Sequence, residues 1–198
     1  MARPFRQQVD EGILDRAAAL FARRGFAKTS VQDVADAVGL SKAGLLHHFP
    51  SKDALYAAVL AHAEEIGSRV LREVGALPEG EERDRRAVEA LVDVALAHPG
   101  IVALMLAPAS QTGGDPGDPP AAQFEAALHA FGVSPDSPDV ERLVRVIGAL
   151  AALAVLTLAA HAEDRATAWR GLIVGTCLDA LGHDRPVASL PDHSQVEA

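Results

Sequence analysis

Apolar residues in this chain recur three and four positions apart, and nowhere in the strict alternation of a strand. Within ILDRAAALFARR, Ile13, Ala17, Leu20 and Phe21 fall at i, i+4, i+7 and i+8, which is one face of a helix. The same spacing returns in Leu55, Val59, Ala63, Ile66, Val70 and Val74, and again in Val88, Leu91, Val92, Ala95 and Leu96. Hydrophobic residues make up 49% of the 198 positions and aromatics only 4%, so the core must be built from Ala, Leu and Val. Ala and Leu are strong helix formers. The expected fold class is all-α, with about nine helices.

Punctuation along the chain divides those helices. A first helix is expected over 7–24, closed by Arg23-Arg24-Gly25, with basic residues in the last turn and glycine at the exit. Thr29-Ser30 offers an N-cap, as Ser30 with Asp33 or Thr29 with Gln32. Gly39 breaks that second helix, Ser41 caps a short third over 42–48, and Pro50 disfavours helix at Phe49. Ser51 caps a long helix to about 75. Pro78–Gly80 precedes a helix over 81–98, and a short one ends before Pro108. SQTGGDPGDPP (110–120) is a Gly/Pro loop expected to be mobile. Helices over 121–131, 138–162 and 164–182 complete the chain. The domains expected are 7–67, containing a helix-turn-helix at 30–49, then 68–182, then a polar tail over 183–198 expected to fray.

Several classes of function find no support. Cys177 is the one cysteine, which excludes an intramolecular disulfide and a multi-thiolate metal site. The N-terminus lacks the apolar stretch of a signal peptide. The uncharged run Val146–Ala160 falls short of the about 20 residues a membrane span needs. A buried helix and a cytoplasmic protein are expected. His47-His48 suggests chemistry, but neighbouring helical residues project about 100° apart and do not chelate as i, i+4 pairs do. No acid, base and nucleophile converge, and the Gly-rich 110–120 loop lacks the Lys and strand of a phosphate cradle. No metal, cofactor or enzymatic activity is expected.

Charge points elsewhere. The chain carries a net −9, yet residues 1–55 carry +2 and the remainder −11. Asymmetry of this kind suggests an end that meets nucleic acid. Residues 31–50 supply a plan for it, because two short helices joined by a Gly-containing turn form a helix-turn-helix. Val34 and Val38 bury the first helix, small Ala35 allows a close crossing, Gly39 can take positive φ, and Leu40 and Leu45 dock the second helix. Such a second helix can enter a DNA major groove with its N-terminal residues on base edges. Its start is Ser41-Lys42-Ala43-Gly44. The helix starts at Thr29-Ser30 and Ser51-Lys52 are placed to clamp flanking phosphates.

TSVQDVADAVGLSKAGLLHHFPSKDAL (29–55), with ILDRAAALFARRGFAKTSV before it, resembles the DNA-binding signature of TetR-type transcriptional regulators. The resemblance covers roughly residues 7–67. It implies a homodimer that reads a near-palindromic operator, an N-terminal three-helix DNA-binding domain, and a larger helical domain for ligand binding and dimerisation. By position, Thr29 and Lys52 resemble phosphate-contacting residues. Lys42, Ala43, Gly44, Leu46 and His47 lie on the recognition helix, while His48 with Phe49 is expected to hold that helix to its neighbours. Many members have Tyr where Leu46 stands. Leu46 cannot make the phosphate bond of that hydroxyl, and can contact a thymine methyl or pack.

The last two helices suggest the dimer surface. Val140, Leu143, Val144, Ile147, Leu150, Ala151 and Ala154 form a wide apolar face, with Gly148, Ala152, Gly171 and Gly175 permitting close approach. Val144, Ile147, Ala151, Gly171 and Gly175 are the interface candidates. His62, Ile66, Met105, Phe124 and Leu128 are the candidates for an effector pocket, and so few polar groups favour an apolar small molecule. The sequence thus reads as a ligand-responsive, sequence-specific DNA-binding regulator, a repressor. The alternatives are a helical protein–protein adaptor, or a small enzyme with a structural helix-turn-helix.

Overall fold

The computed structural model describes residues 3–107 and 119–183, with side chains from residue 9 and, after the gap, from residue 124. Among the described residues there are nine α-helices and no strand. They are α1 (Arg3–Arg24), α2 (Val31–Ala37), α3 (Lys42–His48), α4 (Lys52–Val74), α5 (Glu81–Ala97), α6 (Pro99–Met105), α7 (Pro119–Ala130), α8 (Val140–Ala162) and α9 (Ala166–Leu181). The starts of α1, α7, α8 and α9 differ from expectation. α1 starts at Arg3, about one turn ahead of the expected start at residue 7. α7 opens on Pro119-Pro120, which the sequence suggests as loop. Proline fits a first helical turn, where its missing N–H has no partner in any case. The rest of the 110–120 loop, and the tail beyond His183, lie outside the described residues.

Two apolar cores form. In the first, α1 contributes Ile13, Leu14, Ala17, Ala18, Leu20 and Phe21, α2 Val34 and Ala35, α3 Leu45, and α4 Leu55, Val59 and Ala63. Phe21, Phe26 and Tyr56 close one end, with Phe21 edge-on to Tyr56 at 5.1 Å between ring centres. Ile101 and Leu104 of α6 also belong to this core, so a short helix from the second half of the chain packs into the first. The second core takes Val70 and Val74 from the far end of α4, with α5, α7, α8 and α9 around them. Burying a Leu or Val side chain stabilises by roughly 1.5–3 kcal/mol, and Leu45 is the one side chain of α3 that is fully buried there.

Polar groups inside the second core are satisfied. Asp84 is 1% exposed and meets the Arg142 guanidinium and His183 Nε2, both at 2.6 Å. Thr157 returns its hydroxyl to the Leu153 carbonyl one turn back. Cys177 is fully buried, and burial pushes its thiol up to about 11, far from a reactive thiolate.

The helix expected to be buried on most sides is not buried so within one chain. α8 packs on α9 and α5 along one flank. Its other flank leaves Val140, Val144 and Val155 at 65%, 62% and 59% exposed. By length and composition alone α8 could also cross a membrane.

Candidate nucleic-acid interface

The turn between α2 and α3 is built by caps. Ser30 Oγ accepts from Asp33 N while the Asp33 carboxylate accepts from Ser30 N, which is the reciprocal cap expected for this pair. Its hydrogen bonds from Ser30, with Arg24 beside it, hold the Asp33 carboxyl below the usual carboxylate range. Arg24 is thereby occupied at 2.8 Å. Gly39 sits at φ +71°, a conformation that L side chains rarely adopt, and Leu40 N closes the turn on Ala35 O at 2.9 Å.

Ser41 then starts α3 by accepting from Gly44 N at 3.0 Å. A Cβ on Gly44 would come within 3.2 Å of the Ser41 hydroxyl, so the cap and the glycine suit each other. Leu45 is the buried side of this helix. Lys42, Ala43 and His47 are exposed on its outer side, with Gly44 and Leu46 half-buried. The two histidines of the sequence separate here. His47 faces out, whereas His48 Nδ1 lies 2.7 Å from Asp10 Oδ1 of α1. That contact fixes α3 to α1 across 38 positions of sequence.

Flanking positions divide as well. Ser30 and Ser41 are exposed. Thr29 is 1% exposed and donates its hydroxyl to Gly25 O at 2.9 Å, so its side chain is committed to the turn after α1 and not presented to a phosphate. The spacing that suggested a contact is also the spacing of a helix-ending brace, and sequence does not separate the two. Lys52 Nζ donates to Phe26 O at 2.9 Å and stands 4.2 Å over the Phe26 ring. Part of its cationic function is therefore local.

Two apolar cavities lie among α4, α5, α6, α7 and α8 and share Leu91, Val94, Val102, Met105 and Ala127 as walls. The larger is about 190 Å³ and the smaller about 60 Å³. Of the effector-pocket candidates, Met105 lines both, Phe124 the larger and Ile66 the smaller. Leu128 is 1% exposed in the core and lines neither. Nor does His62. Its Nε2 is buried without a hydrogen-bond partner among the described residues, and its ring stands edge-on to His98 at 5.3 Å. Of the dimer candidates, Val144, Ile147, Ala151 and Gly171 are exposed and Gly175 is half-buried.

Sequence reasoning missed Asp10, Asp15 and Gly100. Each acts through a partner on a distant helix, and an acid on the outer side of an N-terminal helix gives no local sign of it.

The sequence profile of bacterial regulatory proteins of the tetR family matches residues 13–59. The transcriptional repressor KstR2 of Rhodococcus jostii RHA1 is 48% identical over 48 residues, 24% of each chain. The regulator RutR of Escherichia coli K12 is 43% identical over 56 residues, 28% of this chain and 26% of that one. These matches thus span about a quarter of the curated relatives' length. Over the whole fold, the TetR family regulator PfmR of Thermus thermophilus aligns with a TM-score of 0.52 at 26% identity, covering 82% of this chain and 97% of that one. AmtR of Mycobacterium smegmatis aligns at 0.56 and 23% identity, covering 87% and 86%. The capped helix-turn-helix thus lies in a segment similar to bacterial regulatory proteins of the tetR family, and the chain as a whole is similar in fold to a TetR family regulator.

Proposed function

We propose that the protein is a cytoplasmic repressor that binds a near-palindromic operator as a homodimer and releases it in response to a small molecule. The observation that carries this reading is the division of labour on α3. Leu45 is fully buried and His48 is tied to Asp10, while Lys42, Ala43 and His47 are left facing outward. A helix docked so firmly by one side offers its other side to a partner of fixed shape. In a major groove, Lys42 and His47 would reach base edges or phosphates, with Ser30, Ser41, Gly44, Leu46 and Lys52 at the margin. Two such helices would have to stand about 34–36 Å apart to read one face of the duplex.

The homodimer is supported by α8 and α9. The exposed stripe Val140, Val144, Ile147, Ala151 and Val155 is continued on α9 by Leu172, 71% exposed. Gly148, Gly171 and Gly175 would meet nothing within 4 Å if they carried a Cβ. Packing within this chain therefore gives no reason for glycine, which costs roughly 1 kcal/mol against alanine inside a helix. Close approach of a second copy supplies one, in a self-complementary four-helix interface.

Selection of bound sequences from random duplexes tests the reading. We expect enrichment of an inverted repeat, bound by a dimer in sedimentation. Lys42→Ala and His47→Ala should each weaken the selected duplex about tenfold, corresponding to roughly 1.4 kcal/mol, with the dimer intact. No enrichment over unselected DNA would overturn the reading in favour of an adaptor.

A further inference from the structure

The larger cavity lies among α5, α6, α7 and α8. Every side chain lining it is Leu, Val, Ala, Met, Phe or Ile. Its wall therefore offers no side-chain donor or acceptor, and no charge. A polar group carried into it would lose its water and find no replacement, at a cost that excludes it. An apolar group would lose only unfavourable hydration. Size sets a second limit. An apolar cavity of about 150 Å³ holds one benzene, so about 190 Å³ has room for about eight carbon atoms.

Among the described residues the cavity is not closed. Leu106, Phe124 and Ile147 on its lining are 49%, 40% and 39% exposed. Ile147 and Ala151 also belong to the bare stripe of α8 that includes Val140, Val144 and Val155. The rim of the cavity and the edge of that stripe are thus the same residues.

We infer that this cavity binds an uncharged hydrocarbon moiety of about eight carbons, and that a second copy of this chain, seated on the α8 stripe, completes its wall. This rests on the homodimer proposed above. The ligand is a compact aromatic or alkyl group, and any polar end it carries points out of the mouth toward water. Occupancy and dimerisation then favour each other, because the ligand loses apolar exposure only when both are present.

The full-length protein is titrated with ethylbenzene, 1-octanol and 1,8-octanediol by calorimetry, and its mass is followed by sedimentation. We expect saturable 1:1 binding of the first two. The diol should bind at least about tenfold more weakly, since one of its two hydroxyls must be buried unpaired. Equal affinity for 1-octanol and the diol would overturn the apolar site. Ala154→Leu and Ala127→Leu fill the cavity from two sides, and should abolish binding without lowering Tm. Binding unchanged in both overturns the placement.

Val144→Glu acts on the stripe at a residue that does not line the cavity. We expect a monomer with 1-octanol affinity reduced at least about fivefold. A monomeric variant that binds 1-octanol as tightly as the dimer overturns completion by the second copy. A monomeric parent protein would instead overturn the dimer reading, leaving the three-probe comparison to decide the apolar site.

Discussion

Asp15 of α1 and Gly100 of α6 are fitted to each other from both sides. The Asp15 carboxylate accepts from Gly100 N at 2.8 Å and from Ile101 N at 3.1 Å, satisfying two amides that the first turn of α6 cannot. In return, Gly100 has no side chain, and a Cβ there would stand 1.8 Å from the Asp15 carbonyl oxygen. This joint connects the helix that walls the cavities, through Val102 and Met105, to the helix that holds α3 through Asp10. Burial raises the Asp15 carboxyl above its ordinary value, with the two backbone amides opposing.

Gly100→Ala should therefore be costly far beyond an ordinary helix substitution. The added methyl meets backbone, which cannot rotate away, so α1 and α6 must separate. We expect a loss of about 2–3 kcal/mol in urea unfolding, with Gly148→Ala as a control that is neutral or stabilising in the isolated subunit.

Asp15→Ala leaves two amides without their acceptor, which should cost about 1–3 kcal/mol. Asp15→Asn keeps an acceptor oxygen and should recover most of it. If the joint couples the cavity to α3, Asp15→Ala should bind operator but respond less to any effector. Duplex binding measured with and without effector in both variants checks this.

His48→Ala should loosen α3 without touching DNA. Apparent operator affinity is expected to fall about three- to tenfold, with Asp10→Ala giving a similar loss and the double variant little more. An additive double variant would show that the two residues act separately.

Acid should weaken the fold before it reaches the carboxylates. Burial first, and the neighbouring His62 second, hold His98 below the ordinary histidine range, with Asp15 and Glu11 opposing and Arg69 adding to the depression. The unfolded chain then takes up a proton near about pH 6.5 that the folded chain resists. The stability tied to neutral His98 is present above that pH and lost as pH falls through the folded value. Asp15 has the opposite sign, since its raised carboxyl gains a proton more readily in the fold, so the acid loss should flatten toward about pH 4. Urea midpoints taken at about pH 7.5, 6.5, 5.5 and 4.5 measure the curve. His98→Gln should remove its upper limb.

The helix-turn-helix was legible because its determinants are local. Ser30 with Asp33, Gly39, Ser41 with Gly44, and Leu45 all act within a few positions of one another. The stripes of α4 and α5 were legible for the same reason. What sequence concealed acts across helices. Thr29 read as a phosphate ligand because a helix start looks alike whether its side chains face solvent or brace the preceding turn, and Lys52, half-buried and bonded to Phe26 O, partly braces that turn too. His62 and Leu128 share the spacing of cavity residues, but a spacing fixes a face and not the depth of a hollow. α8 was expected to be covered, and its composition is that of a covered helix. Among the described residues, nothing covers its Val140, Val144 and Val155 flank.

α4 belongs to both cores, through Val59 and Ala63 at one end and Val70 and Val74 at the other. No flexible linker separates the two halves, and α6 crosses back to contribute Ile101 and Leu104 to the first. Neither half can melt without unravelling a helix that the other depends on. The subunit should therefore denature as one cooperative unit, with a single calorimetric peak. A gene truncated after residue 67 would yield a first half with a cut helix and an incomplete interior, not a minimal DNA-binding fragment.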